Sequence, residues 1–487
     1  MSALSQNWKF PIFAGLITVL QALFVYQEFY WYLLLPVGLI LLVWLVSSVD
    51  KFFLFTVLVT PLSIELKESD LGLALSLPSE ALIILMTVLF YFKLFVEKSV
   101  PLSFWKHPIT LAVLFHIGWM LLSSFTSTMP IVSLKATATR IWFVSAFYFL
   151  GTQLFLNRKN IVRFFWMYLL PLAGIVIYAT YRLAMFNFEK QPAHWVMDPF
   201  YNDHTHYGAV LAMFVPFVLG FTFFARMSSA WRTLYLILAL IICGGLFFSI
   251  SRAAWLSVIG ASGLWIIMLL RIRWTVVLGT AATLVGLFFL FQTEIIMSLE
   301  QNKQESSGDF GQHFRSATNI SSDASNLERI LRWKAAVRMF NERPLMGFGP
   351  GTYAFQYAPY QRSNELTIIS TNFGSLGSAH SEYLLPLSEQ GLPGMLSFIL
   401  LGIVFIWVGC RVIFWPGADR LSQVLAYAAL LGLATYFIHA FLNNFLDTDE
   451  ASVPFWGMAA ALTALDLNRT QATPKKSSHE IAAQESL

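Results

Sequence analysis

Apolar runs of about 17–25 residues recur along the chain, the length a helix needs to cross the hydrocarbon of a bilayer. Amide groups there find no water, so each run must satisfy its own backbone hydrogen bonds and is expected to be a helix. The sequence places such segments near 11–27, 30–49, 52–64, 80–96, 109–126, 138–156, 162–183, 207–225, 233–250, 253–270, 274–292, 383–410, 422–445 and 451–466. Of these, 52–64 and 451–466 are short for a span, so the expected number is about 12–14. Composition agrees: 57% of the 487 residues are hydrophobic and 12% charged, with a mean hydropathy of +0.64. A soluble domain carries roughly twice that charged fraction. The expected fold class is therefore an all-α integral membrane protein, a polytopic helical bundle with one large extramembrane loop.

The net charge of +4 matters less than its distribution. With the N-terminus cytoplasmic, seventeen Lys and Arg fall on the cytoplasmic side, among them Lys51, Arg158, Arg226, Arg271, Arg420 and Arg469. The short loops and helix ends of the other side hold only Lys67, Lys135, Arg140, Arg182, Lys190 and Arg252. This asymmetry sets the orientation. It places both termini in the cytoplasm and the long loop outside. The N-terminal run lacks a clear cleavage site and is read as the first span, with no cleavable signal peptide. Cys243 and Cys410 fall in expected helices and provide neither a disulfide framework nor metal-ligand spacing. The expected organisation is a transmembrane bundle over 1–293, a loop with short helices over 294–381, further transmembrane helices over 382–469, and a disordered tail over 470–487.

The loop is where polar chemistry collects. Its first third (QNKQESSGDFGQHFRSATNISSD) has no periodicity and reads as loop. Ser325 and Glu328 form an S-x-x-E capping box, and Leu327, Ile330, Leu331, Val337 and Phe340 follow at helical spacing, predicting a helix near 326–341 that Pro344 ends. This helix carries Arg329, able to grip phosphate oxygens through its guanidinium fork, with Arg332 three residues on. GFGPGTY (347–353) follows, and its glycines prescribe a tight turn. Such a turn is either a structural corner or, through the N–H groups around Gly349 and Gly351, an anion cradle. Tyr353, Phe355, Tyr357 and Tyr360 are candidates for stacking on sugar rings or for an interfacial aromatic belt.

His380 stands where the chain returns to apolar sequence. A histidine titrates near neutrality and can take a proton from a hydroxyl, with Glu382 or Glu389 to orient it; the alternative is a structural hydrogen-bonder. Arg252, in FFSISRAAW, is a second phosphate-gripping candidate or a snorkelling interfacial charge. His204-x-His206 lacks further metal ligands. Asp447-x-Asp449 resembles a sugar-nucleotide DxD but reads as a solvated loop. His439, Asn443 and Asn444 are polar groups in or near a span, marking either a site or helix–helix hydrogen bonds.

RILRWKAA (329–336), PLMGFGPGTY (344–353), HSEYLLPLSEQGLPG (380–394) and SRAAW (251–255) together resemble the O-antigen ligase/polymerase superfamily. NDHTHYG (202–208) is a looser match, and Ser381 stands where the family commonly has Asn. The resemblance implies a GT-C-like membrane fold. It also implies transfer of a glycan from undecaprenyl pyrophosphate to an acceptor hydroxyl, on lipid A-core or another glycan, at the periplasmic face of the bacterial inner membrane. No metal, cofactor or nucleic acid is implied. In that scheme His380 is the base, Arg252 and Arg329 hold the pyrophosphate, and Arg332, Gly349, Gly351, Glu382, Tyr383 and His206 support them. Polymerisation of lipid-linked repeats is the alternative within the same chemistry. A transporter is the alternative of another class, with His116 and His439 as its few candidate mid-membrane groups and no internal repeat to support it.

Overall fold

A computed structural model describes residues 9–27, 35–66, 75–97, 100–273, 275–276, 279–280, 283, 324–362 and 377–472. Residues 1–55 and 56–487 are two compact units. In the first, helices Lys9–Tyr26 and Leu35–Ser47 lead into Val49–Val59, and Trp44 packs edge-on against Phe52 at 5.6 Å.

The second unit is a helical bundle. Eight described helices are long and apolar enough to cross a membrane: Ser79–Val96, Pro108–Phe125, Arg158–Met185, His204–Phe224, Ser229–Phe248, Arg252–Leu269, Leu384–Ile413 and Arg420–His439. The protein is thus an all-α polytopic membrane protein, as its hydropathy requires. The expected span at 274–292 lies largely outside the described residues, as do the loop's first third and the tail beyond 472. The expected spans at 30–49 and 52–64 are the shorter helices Leu35–Ser47 and Val49–Val59.

Three features depart from the reading of the sequence. Between the expected spans at 52–64 and 80–96 lies an antiparallel hairpin, Ile64–Leu66 against Leu75–Leu77, and the next helix begins at Ser79. The helix expected at 138–156 begins at Pro130 and passes through a π-helical stretch, Val144–Leu150, before ending at Phe155. The marginal segment 451–466 is part of a 24-residue helix, Asp449–Ala472, and its apolar face is buried all round, including Trp456 at 0% exposure. A helix apolar on every side belongs in the core of a large bundle, and this one packs against Gly151–Phe155, Leu384–Ile413 and Arg420–His439.

Helices from before and after the loop pack together. His204–Phe224 and Arg252–Leu269 both lie against Arg420–His439, and Pro108–Phe125 lies against Leu384–Ile413. The loop docks at the end of the bundle formed by the N-termini of the helices starting at His204, Arg252, Leu384 and Asp449 and the C-termini at Phe125 and His439. The opposite end is basic. There Arg158 pairs with Asp419, and Arg411 and Arg469 bracket Asp466 at 3.3 and 2.7 Å, where His107 also reaches it at 3.2 Å.

Candidate active site

The loop helix spans Ala324–Glu342, close to the expected 326–341. It begins before Ser325, so that residue does not precede the helix; the side chains of the expected capping box, Ser325 and Glu328, lie outside the described residues. Arg332, 7% exposed, reaches off this helix. It donates from Nη1 to the Ser378 carbonyl at 3.1 Å and lies over the Tyr357 ring at 5.3 Å. The fit is close: a Cβ added at Gly377 would fall 1.6 Å from Nη1. Ser378 relays the contact, since its hydroxyl accepts the His380 amide at 3.1 Å and donates to Asn444 Oδ1 at 2.6 Å. His380 itself has φ 49°, a left-handed conformation uncommon for a residue with a side chain. Such a conformation persists only where the surroundings impose it. Here Arg332 and Ser378 hold the preceding residues, and Glu382 holds those that follow.

Glu382 is a clamp. Its Oε1 accepts from the Tyr436 hydroxyl at 2.8 Å and from the Phe445 and Leu446 amides at 3.0 and 2.8 Å. The carboxylate therefore ties the start of the Leu384–Ile413 helix to the 440–448 turn. Tyr383 adds a hydrogen bond to the Phe437 carbonyl at 2.9 Å and packs on Phe441.

The glycine turn binds an anion from its own chain. The Gly351 and Tyr353 amides donate to Glu389 Oε2 and Oε1, both at 2.9 Å, and the Gly349 amide donates to the Glu389 carbonyl at 2.7 Å. On the other side, the Phe348 carbonyl accepts from Thr128 N and Oγ1 at 2.9 and 3.0 Å. Gly347, Gly349 and Gly351 all have positive φ, and a Cβ at Gly347 would fall 2.3 Å from the Glu389 carbonyl carbon. Glu389 sits just before Gly391, whose φ of 71° kinks the helix and lets the turn approach. The turn is thus a structural corner wedged between two helices, with the amides of Gly349 and Gly351 already occupied. Tyr353 and Tyr357 stack on each other at 5.2 Å and are buried with Ala336, Met339 and Phe348, so these two rings form a local core and offer no face to a sugar.

Basic groups gather beside this return. Asp203 caps the His204–Phe224 helix, accepting the Thr205 and His206 amides at 2.6 and 2.9 Å. Burial opposes its charge, but the bonds from Thr205 and the charge of His206 hold its carboxyl below the ordinary value. His206 stacks on Phe445 at 4.8 Å, with Nε2 3.1 Å from the Thr448 hydroxyl. His439, 1% exposed, pairs with Asn443 at 3.1 Å and lies in the fields of Asp203, Arg329 and His206, beside the Ala253 backbone. Arg329 also acts on His204. Arg252 opens its helix next to Ala253, after the Ser251 cap, and Gly208 lets that helix come close: a Cβ there would sit 2.7 Å from the Ser251 Cβ. Arg329 therefore acts from the loop helix on both His204 and His439, and Arg252 begins the helix whose Ala253 backbone lies beside His439.

Next to these groups opens a cavity of about 450 Å³. Carboxylates of Glu65, Glu80, Glu382, Glu389, Asp447, Asp449 and Glu450 line it, with Arg140, His116, His206 and Asn444. Asp449 is 2% exposed and accepts from the Ser79 hydroxyl, so this half of the DxD expected in a solvated loop is instead built into the bundle, while Asp447 is exposed. Asp447 faces the cavity, where desolvation and the nearby Glu382 charge push its carboxyl up to about 6. Among the described residues no group of three or more His, Cys, Asp or Glu is arranged to hold a metal ion.

Residues 236–399 match the family model described as O-antigen ligase. Over this stretch, about a third of the chain, the protein is similar to the O-antigen ligase family. The match holds Arg252, the loop helix, the glycine turn, His380 and Glu389. No curated protein matches the chain at a level that would establish a relative. The sequence named the basic groups individually but not most of the cavity. Its acids lie at 65, 80, 382, 389 and 447–450, and no local pattern joins them. The one available signal was the acidic pair at Asp449 and Glu450, placed directly before an apolar segment.

Proposed function

We propose that this chain transfers a glycan from undecaprenyl pyrophosphate to an acceptor hydroxyl at the periplasmic face of the inner membrane. The observation that carries the proposal is that Arg329 and the start of the Arg252 helix both lie by His439, beside a return segment that fixes His380 and next to a carboxylate-lined cavity. In this reading Arg252 and Arg329 bind the donor pyrophosphate. Their charge offsets what develops on the leaving oxygen as the anomeric C–O bond breaks. The acceptor hydroxyl attacks the anomeric carbon, inverting it, and gives its proton to neutral His380. The carboxylates of the cavity accept hydrogen bonds from acceptor-sugar hydroxyls. Arg332 and Glu382 position His380 from either side, and Glu389 with the Gly349–Gly351 turn fixes the loop helix. His206 and Tyr383 brace the helices beneath. The prenyl chain stays in lipid, which supports a site at helix ends.

The acceptor on this proposal is lipid A-core or another glycan, and the alternative within the same chemistry is a polymerase that joins lipid-linked repeats. Removing the gene distinguishes them. Loss of a ligase leaves finished polymer on undecaprenyl pyrophosphate, and loss of a polymerase leaves single repeats. Wild-type lipid-linked species in the deletion strain would overturn both.

A further inference from the structure

At the end of the bundle opposite the loop lies a second cavity of about 730 Å³, within the range of about 300–1,000 Å³ that encloses small ligands. Its walls are apolar: Leu219 and Phe223 from one helix, Val258 and Trp265 from the next, Val424 and Leu431 from a third. Its rim is cationic. Arg271 lies over the Phe414 ring at 5.9 Å and Arg420 over the Phe224 ring at 5.8 Å. Arg420 also donates from Nε to the Phe224 carbonyl at 2.7 Å. Both arginines act electrostatically on the Tyr427 phenol in the cavity wall, so their charges face one mouth.

Other arginines at this end have carboxylate partners: Arg158 has Asp419, and Arg411 and Arg469 share Asp466. Among the described residues, no carboxylate lies within ion-pair distance of Arg271 or Arg420. A guanidinium stacked on an aromatic ring keeps its N–H edges available for phosphate oxygens. Two such edges over an apolar slot complement a molecule with an anionic phosphate and a hydrocarbon tail.

We propose that this cavity binds an anionic phospholipid, its phosphate between Arg271 and Arg420 and an acyl chain between the helices. The glycan donor is a poor fit as occupant. The 18-residue Arg252–Leu269 helix puts about 27 Å between Arg252 and this mouth, so a pyrophosphate held at Arg252 lies at the other end. A zwitterionic lipid presents the same phosphate but brings an ammonium toward the two arginines, and binds less well.

The test uses the full chain, purified in mild detergent, stripped of lipid and titrated with phosphatidylglycerol or phosphatidylcholine, with bound lipid counted by native mass spectrometry. Phosphatidylglycerol binds in preference. Arg271→Gln and Arg420→Gln each weaken it about fivefold, and the double variant about thirtyfold. Ser262→Phe, which fills the slot and leaves both arginines, also weakens it. Melting temperatures of all variants confirm that they remain folded. Equal binding of the two lipids, binding unaffected by the double variant, displacement by a prenyl phosphate at equal concentration, or no retained lipid on the wild type would each overturn the proposal.

Discussion

Replacing Glu389 with alanine tests whether the glycine turn is held by an internal carboxylate. The substitution removes two acceptors, one for the Gly351 amide and one for the Tyr353 amide, each bonded at 2.9 Å. Tyr353 is 0% exposed, so its amide would be left without solvent. An unsatisfied buried donor costs about 1–3 kcal/mol, which gives about 2–6 kcal/mol for the pair. The lower half of that range applies if water reaches Gly351 through the cavity. Glu389→Gln keeps one acceptor oxygen but turns an NH2 toward the other amide, so its cost lies between wild type and Glu389→Ala. Thermal unfolding in detergent measures the stability, and limited proteolysis within 353–362 reports undocking of the turn. Transfer activity should fall with undocking, because the Tyr353 hydroxyl holds the Arg332 carbonyl at 2.8 Å and Arg332 holds the segment before His380. Wild-type stability and unchanged cleavage in Glu389→Ala would refute the reasoning.

Other outcomes follow from the same geometry. Arg332→Met loses the bond to the Ser378 carbonyl and the stacking on Tyr357; kcat should fall with little change in KM, and Arg332→Lys should restore part of it. Gly208→Val forces the Arg252 helix away through its contact with Ser251; transfer should fall at least tenfold while membrane insertion, checked by fractionation, persists. Desolvation and the Glu382 charge raise the folded-state pKa of Asp447 to about 6 from its ordinary 3.8. Its contribution is fully present below about pH 4 and is lost as pH rises through about 6. Asp447→Asn should therefore flatten the fall in melting temperature between about pH 4 and pH 6.

Hydropathy alone revealed the membrane architecture, because a backbone in hydrocarbon has so few options. The loop helix and the corner at Gly347–Gly351 were legible for local reasons: apolar spacing in one and glycine chemistry in the other. What the corner binds was not legible. Glu389 is 38 residues beyond Gly351, and the turn meets it beside the kink at Gly391 in the same helix. Glu382 was read as a partner for His380, but its Oε1 is taken up by Tyr436 and the 440–448 turn, a contact set by tertiary packing. The cavity escaped notice for the same reason, since its carboxylates come from five separate stretches of chain. The hairpin at 64–77 was missed because two three-residue strands carry too little periodicity to register.

The most direct measurement is glycan transfer by purified protein from a lipid-pyrophosphate donor to a defined acceptor, comparing wild type with His380→Ala and Arg252→Ala. The account predicts product with an inverted anomeric centre from wild type, and none from either variant, with both variants expressed, inserted and as thermally stable as wild type. Normal product from His380→Ala would contradict it.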